Sequence, residues 1–322
     1  MKKTLAAVLV VAVVLVLGFS FMQGQAPAQE KAFPTRQLTY LVCFDPGGQS
    51  DRGARLYQPH LDKVLGQKVI IDYKVGGGGA LGWRELTHAK PDGYTFAGFN
   101  IPHVILQPLQ QDVGYKTEQI VPLMIFQRTP LGLAVLNTSP FKTLKEFIDH
   151  AKQNPGAVSI GGSGSFSGYH MATLRLEKLT GTKITYVPFT GSAPQMTAFL
   201  GGHITAIFGA SDDLSIHKDK LRVLGFATNE RFPGFPDAPT LKEQGVDMAE
   251  AVDRGVAVPP GTPDPIIKKL ESAFLQVANM PEIRAEMTRQ GFIPMAMGHA
   301  ESKAYLEKMT ALYKDLAAGI KK

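Results

Sequence analysis

The chain repeats one arrangement twice: a short apolar run, a glycine-rich loop, and a segment with helical periodicity. Residues 38–44 are apolar and lead into the glycine-rich residues 46–48, and residues 158–160 lead in the same way into residues 161–165. Apolar runs of this length that end in glycine or proline are typical of buried strands followed by tight turns. The alternation predicts an α/β fold of mostly parallel sheets flanked by helices, with ligand chemistry at the carboxyl ends of the strands.

The length of the chain predicts more than one globular part. With 322 residues, 44% of them apolar, it exceeds the size at which a single hydrophobic core usually stops growing. Residues 231–240 and 259–263 are rich in proline, which is typical of connections. We expect two lobes: a discontinuous first lobe of residues 33–130 plus 251–322, and a second lobe of residues 131–250.

The N-terminus has the pattern of a secretory signal. Lys2 and Lys3 precede a long apolar run, and Ala26 and Ala28 form a small-residue cleavage site. We expect residues 1–28 to be a cleavable signal peptide. The apolar run is also long enough to leave an uncleaved membrane anchor as the alternative. Cleavage would remove two lysines and lower the formal charge from +6 to +4, which is too small to suggest nucleic acid as a partner.

Local signatures of catalysis and of cofactor binding are weak. The eight histidines are dispersed and Cys43 is the only cysteine, so we expect neither a zinc site nor a disulfide within the chain. Residues 77–82 match G-x-G-x-x-G, but no acidic residue follows about 20 positions later to hold a ribose. We therefore expect no cofactor, and binding is a simpler hypothesis than catalysis.

A series of motifs resembles one receptor family. The motifs are FDPGGQSDRGAR at residues 44–55, KPDGYT at 90–95, VPFTG at 187–191, LGG at 200–202 and PPGTP at 259–263. Their order and spacing are similar to those of the TctC or Bug-type receptors of tripartite tricarboxylate transporters. The resemblance implies a monomeric periplasmic binding protein of the two-lobed, type II (Venus-flytrap) class. It also implies that the protein delivers a small organic acid to membrane permease subunits and is not an enzyme.

The resemblance implies that one loop from each lobe holds the ligand. Glycine-rich loops that open helices present unpaired N–H donors, which can receive a carboxylate without any arginine. The binding residues expected in the first lobe are Phe44, Asp45, Pro46, Gly47, Gly48, Gln49, Ser50 and Asp51, with Asn100 and His103 from a later strand end. Those expected in the second lobe are Ser163, Gly164, Ser165, Phe166, Ser167, His170, Phe189, Thr190 and Gly191. The serines could instead only cap the helix that follows.

Asp45 departs from the family pattern, which commonly has proline at this position. A carboxylate beside an anion pocket repels the ligand unless it points away, is protonated, or meets a cationic group. We expect Asp45 to point outward. If it faces the cleft instead, we expect a ligand that contains nitrogen, or a carboxylate bound at its far end.

Two other functions remain open at this point. One is a sensor whose ligand-bound form docks on a membrane kinase. The other is a periplasmic enzyme that uses Asp51, His103 or His170 as an acid or base.

Overall fold

The structure is a computed structural model that describes residues 33–320, so the predicted signal peptide at residues 1–28 lies outside the described residues. The chain divides into two units, Met1–Thr35 and Arg36–Lys322, and every element named below belongs to the second unit. Within residues 33–320, no helix combines the length and the apolar character needed to cross a membrane.

Strands and helices alternate along most of the described chain. Its strands are β1 (Leu38–Val42), β2 (Val69–Tyr73), β3 (Thr95–Ile101), β4 (Val121–Leu136), β5 (Ser159–Ser163), β6 (Thr185–Phe189), β7 (Ala206–Ala210), β8 (Leu221–Phe226), β9 (Ala251–Val258) and β10 (Ile293–Met297). Its α-helices are α1 (Gln49–Leu65), α2 (Ala80–His88), α3 (His103–Gln110), α4 (Leu144–Gln153), α5 (Gly168–Thr180), α6 (Ser192–Leu200), α7 (Ser211–Ile216), α8 (Asp264–Ala278), α9 (Pro281–Arg289) and α10 (His299–Ile320).

The strands form a mixed sheet in the order β2-β1-β3-β9-β4-β7-β5-β6, and β8 and β10 also pair with β4. The pairs β1–β2, β1–β3, β5–β6 and β5–β7 are parallel, as strand–helix alternation predicts. The pairs β3–β9, β4–β9 and β4–β7 are antiparallel. The α/β prediction is therefore confirmed, and two parallel parts are joined through antiparallel central strands.

Strand β4 runs through both parts of the sheet. Its residues 121–130 pair with β9, and its residues 131–136 pair with β7 and β8. We call the part built from β2, β1, β3, β9, β10 and residues 121–130 sheet A. Sheet B contains β5, β6, β7, β8 and residues 131–136. The lobe boundary expected from the sequence also lies between residues 130 and 131, and a division into two moving lobes stays a prediction.

Both faces of each sheet are covered by apolar side chains. Along β4, Leu133 and Val135 belong to one buried cluster of sheet B, whereas Ala134 belongs to the cluster on the opposite face. Successive side chains of a strand point to opposite faces, so this pattern places packed layers on both sides. In sheet A, Tyr40 and Phe96 pack against Phe274 of α8, with ring centroids 6.4 and 5.4 Å away.

Several helix ends follow directly from the sequence. Thr143 and Glu146 form a capping box at the start of α4, in which the Glu146 amide donates to Thr143 Oγ1 at 3.2 Å. Gly66 ends α1 in a left-handed conformation, with φ +66°. Pro59 lies inside α1 without ending it. The C-terminal part of the chain contains α8, α9 and α10, and α10 packs against α3 and β4.

Candidate functional site

The loop after β1 touches the chain around the start of α6. A Cβ atom on Gly48 would lie 3.1 Å from Ser192 Oγ, and the Gln49 amide donates to the same oxygen at 3.2 Å. A Cβ atom on Gly191 would lie 3.0 Å from Asp45 Oδ2. Glycine permits this close approach because it has no side chain. The expected first loop of sheet A and the expected wall residue Gly191 of sheet B are therefore in contact.

A second contact joins the two sheets through glycines. Gly164, which follows β5, has φ +84°, and a Cβ atom there would lie 2.9 Å from the Cα atom of Gly78. Gly78 belongs to the glycine run before α2, and its carbonyl accepts from Gln107 Nε2 at 2.8 Å. Gly78 of the run at residues 77–82 is therefore in close contact with the loop after β5.

Gln49 is the centre of a buried hydrogen-bond network. Its Oε1 accepts from the Tyr169 hydroxyl at 2.9 Å and from the Arg254 guanidinium. Its Nε2 donates to Asp212 Oδ1 at 3.0 Å and to Asp213 Oδ2 at 2.7 Å. These partners come from α5, β9 and α7, so one side chain at the start of α1 links sheet A to sheet B.

Arg52, one turn further along α1, forms ion pairs with the same two carboxylates. Its Nη2 contacts Asp212 and lies 2.6 Å from Asp213 Oδ1, while Nη1 donates to the Gly47 carbonyl at 2.9 Å. The Asp212 side chain is completely buried. Burial, followed by the charge of Asp213, raises the pKa of Asp212 to about 6, although Arg52 and Arg254 oppose the shift.

His103 lies fully buried between the two parts of the sheet. Its ring meets Phe44 and Tyr169 edge to face, with centroids 5.9 Å apart in both cases. Neither ring nitrogen has a described partner in hydrogen-bond geometry. Burial and then the charge of Arg254 lower the pKa of His103 to about 3, against the smaller effect of a contact with the Ser163 backbone whose geometry falls short of a full hydrogen bond. The imidazole is therefore neutral at ordinary pH.

Buried polar atoms without a hydrogen-bond partner concentrate at this junction. Among the described residues they include Asp45 Oδ2, Arg52 Nε, Arg254 Nε and both ring nitrogens of His103. Such atoms are rare in protein interiors because each costs about 1–3 kcal/mol. Unpartnered groups of this kind are available to bind a polar solute.

Asp51, although expected to bind ligand, is fully engaged within sheet A. Its carboxylate accepts from the Gly47 amide at 2.8 Å, from Arg55 Nε at 2.8 Å and from the Tyr73 hydroxyl at 2.7 Å. Burial acts to raise the pKa of Asp51, but these hydrogen bonds outweigh it and lower the pKa. An ionised carboxylate with three donors is poorly suited to act as an acid or base.

The loop between β5 and α5 has residues that face in different directions. Ser167 caps α5, because its Oγ accepts from the His170 amide at 3.2 Å. For this serine, the capping role considered as an alternative is therefore present. His170 stacks on Tyr186 at 4.3 Å, and burial lowers its pKa. Phe166, Ser167 and His170 line a small cavity of about 130 Å³ shared with α3, whereas Ser163 and Gly164 lie at the junction.

The other expected residues differ in exposure. Asn100 is buried in β3, where it lies opposite Arg254 in the strand register. The solvent-exposed members of the expected set are Pro46, Gly47, Ser165 and Thr190, and the half-buried ones are Asp45, Ser50, Phe166, His170 and Phe189. The exposed residues stand at loop tips around the junction rather than inside it.

Sequence reasoning missed five residues of this network: Arg52, Tyr169, Asp212, Asp213 and Arg254. A signal existed for the two aspartates, because they follow the small residues that end β7 and so lie at the carboxyl end of a strand. Another existed for Arg254, which interrupts an otherwise apolar strand beside Asp253. Arg52 and Tyr169 carry no local pattern that separates them from ordinary helix residues.

No group of three or more His, Cys, Asp or Glu side chains within residues 33–320 is placed to hold a metal ion. The arrangement instead offers hydrogen-bond donors and acceptors, with glycine backbone close by. An α/β protein with two sheet parts that share one long central strand, and with a polar junction between them, has the fold of a periplasmic solute-binding protein.

Solved structures support this class. MatC from Rhodopseudomonas palustris, with bound malate, is 26% identical, with a TM-score of 0.83 over 88% of this chain and 99% of that chain. A second R. palustris protein, with adipate, is 27% identical, with a TM-score of 0.85 over 89% of this chain and 98% of that chain.

Sequence comparison gives the family. A UPF0065 protein from Cupriavidus necator is 31% identical over 283 residues, which are 87% of this chain and 86% of the relative. The model of the tripartite tricarboxylate transporter family receptor (TctC) matches residues 54–317, and the chain belongs to this family. The resemblance found in the sequence motifs is thereby confirmed.

Proposed function

We propose that the protein is a periplasmic receptor that captures a small organic carboxylate between two lobes. The lobes are residues 33–130 plus 251–322 and residues 131–250. The receptor then delivers the solute to the membrane permease subunits of a tripartite tricarboxylate-type transporter. Family membership supports a carboxylate-binding receptor and a periplasmic location. Malate in one related structure and adipate in another support the class of ligand.

The observation that carries this proposal is the junction between the loop after β1 and the loops of sheet B. Its buried unpartnered atoms lie on the side of sheet A, and those of Asp45 and His103 face Gly191 and Tyr169 from the side of sheet B. A solute bound there would contact both lobes at once. It would therefore favour the arrangement in which the lobes are closed.

Two central strands can act as the hinge of this movement. β4 changes its partners between residues 130 and 131. β9 begins at Ala251, which pairs with Pro130 at this same point. Hinges absorb rotation at a few residues where elements change partners. The contacts Gly48–Ser192 and Gly78–Gly164 would then form on closure and separate on opening.

Calorimetric titration of the purified protein tests the proposal. Malate, succinate, adipate, citrate and benzoate form the series, with the diamides of succinate and adipate as uncharged controls. We expect binding of at least one acid, no binding of either diamide, and a smaller radius of gyration in X-ray scattering when the acid is bound. Absence of binding across acids and amino acids, or an unchanged scattering profile on saturation, would contradict the proposal.

Uptake measurements test the transport role separately. Cells that carry the permease genes and this protein should accumulate a labelled ligand, and cells that lack only this protein should not. Bound solute recovered from the protein should be chemically unchanged. Conversion of the solute would favour the enzyme alternative, and binding without any effect on uptake would favour the sensor.

A further inference from the structure

Asp45 is the one acidic residue of the junction that lacks a cationic partner among the described residues. Asp212 and Asp213 are paired with Arg52. Asp51 is paired with Arg55. Asp45 makes no ion pair with residues 33–320, so its negative charge is unmatched. The cation Arg254 also makes no ion pair among these residues, and its terminal nitrogens bind Gln49, Tyr169 and Thr129 instead.

The position of Asp45 points its carboxylate at sheet B. Its Oδ2 is buried and has no hydrogen-bond partner among the described residues. The neighbour is Gly191, where a Cβ atom would lie 3.0 Å from this oxygen. The outward orientation expected from the sequence is therefore wrong. The carboxylate lies where the loop after β1 meets the loop after β6.

The two nearby arginines direct their terminal nitrogens to groups other than this carboxylate oxygen. Arg52 directs Nη1 to the Gly47 carbonyl and Nη2 to the aspartates of α7. Arg254 directs its two terminal nitrogens to Gln49, Tyr169 and Thr129. A solute carboxylate placed beside Asp45 would bring like charges together in a site shielded from water, where their repulsion is strong.

A cationic nitrogen is the group that fits this position. It donates charge-assisted hydrogen bonds to a carboxylate, and these are shorter and stronger than bonds between neutral groups. We propose that Asp45 is the counter-ion of an ammonium group on the solute, so that the receptor prefers amino-bearing carboxylates to plain carboxylates with the same carbon skeleton. This inference rests on the proposed function, and it names the substrate class of the same site.

The solute's own carboxylate has other partners in this arrangement. Backbone amides at the glycine-rich loops and the neutral ring of His103 can donate to it without a net positive charge. Asp45 then determines specificity, while the loops provide the carboxylate contacts common to both kinds of acid.

Calorimetric titration with matched ligand pairs tests the proposal. The pairs are aspartate and succinate, glutamate and glutarate, and 4-aminobutyrate and butyrate, each measured on the unmodified protein. N-acetylaspartate serves as a ligand that keeps both carboxylates and loses the cationic nitrogen. We expect at least one amino-bearing ligand to bind at least tenfold more tightly than its plain partner.

The variant Asp45→Asn removes the charge with little change in size. We expect the affinity for the amino-bearing ligand to fall at least tenfold, and that for the plain acid to stay level or rise. The control Asp72→Asn changes an exposed aspartate of β2 and should leave both affinities unchanged.

The outcomes separate this inference from the proposed function. Equal or tighter binding of plain acids by the unmodified protein overturns the inference and leaves the carboxylate receptor standing, even if Asp45→Asn does not fold. A preference for the amine that survives in a folded Asp45→Asn protein also overturns it. Failure of every acid and amino acid to bind overturns both.

Discussion

Replacing Arg52 by Gln tests whether one cation holds the buried aspartate pair of α7. The substitution removes the ion pairs to Asp212 and Asp213 and the hydrogen bond to the Gly47 carbonyl. The Arg52 side chain is 23% exposed, whereas those of Asp212 and Asp213 are 0% and 7% exposed. Water can therefore reach the site of the lost guanidinium only in part.

The size of the effect follows from the protonation of the pair. Loss of one partner of a fully buried ion pair costs about 3–5 kcal/mol. The pKa of Asp212 is already about 6, so the pair can take up a proton instead of keeping an unmatched charge. At pH 7 that costs about 1.4 kcal/mol. The lost hydrogen bonds add about 1–2 kcal/mol, and we expect Arg52→Gln to lower the free energy of unfolding by about 2.5–3.5 kcal/mol.

The pH dependence of the difference in unfolding free energy shows whether the aspartate pair takes up a proton when Arg52 is replaced. Below pH 6 both proteins carry the proton on the aspartate pair, so their difference in unfolding free energy should stay constant. Above pH 6 only the variant retains the proton in its folded state, while the unfolded chains of both are ionised. The folded variant then binds more protons than its unfolded state, and its deficit should grow by about 1.4 kcal/mol per pH unit.

Urea unfolding at pH 5.5, 7 and 8 measures this difference. Trp83, the only tryptophan in the chain, is completely buried in sheet A and reports unfolding by fluorescence. Arg289→Gln is the matched control, because Arg289 is 73% exposed and pairs only with a residue of its own helix. It should change stability by less than about 0.5 kcal/mol. A deficit for Arg52→Gln that is equally small, or independent of pH, would refute the reasoning.

Two further substitutions probe the junction. His103→Phe keeps a ring against Phe44 but removes two buried nitrogens without partners, so it should raise stability by about 1 kcal/mol at pH 7. Because His103 in the folded protein stays neutral down to about pH 3, whereas an unfolded histidine binds a proton near 6.5, this advantage should grow by about 1.4 kcal/mol per pH unit as the pH falls from 6.5 to 4. Urea unfolding at pH 7 and 5 measures it, and a constant difference would contradict it. Gly164→Ala places a Cβ atom 2.9 Å from Gly78 and should weaken ligand binding at least tenfold in calorimetry. Gly181→Ala, at a similar φ of +67° with open space around it, should cost stability alone, and equal affinities of the two variants would rule out the steric reasoning.

The local parts of the fold can be predicted from the sequence because their determinants are neighbours in the chain. Thr143 and Glu146 fix the start of α4, and Gly66 fixes the end of α1. The antiparallel pairing of the strands at the centre of the sheet is not determined by residues that are neighbours in the chain. Residues 121–130 form the first half of β4, although the sequence suggests that the second alternating region begins only near residue 131. Partners far away in the chain decide this pairing.

The candidate site shows the same limit. The loop after β1 could be found because a buried strand that ends in glycine is a general position for ligand chemistry. Asp212 and Arg254, by contrast, reach Gln49 across 163 and 205 positions of sequence. Their role depends on which strands become neighbours. The orientation of Asp45 is likewise set by the contact with Gly191, which no local pattern encodes.

The place of β9 in the sheet also determines the order in which the chain can fold. β3 and β4 follow one another in the sequence, yet β9, formed more than a hundred residues later, lies between them. Until β9 arrives, β3 and β4 each present a strand edge with unpaired backbone groups, and such edges favour aggregation. Pairings this distant in sequence form slowly, since loop closure precedes the contacts. A chain that ends at residue 250 would retain these open edges, so the completion of sheet A, and with it the junction at Gln49, depends on the last quarter of the protein.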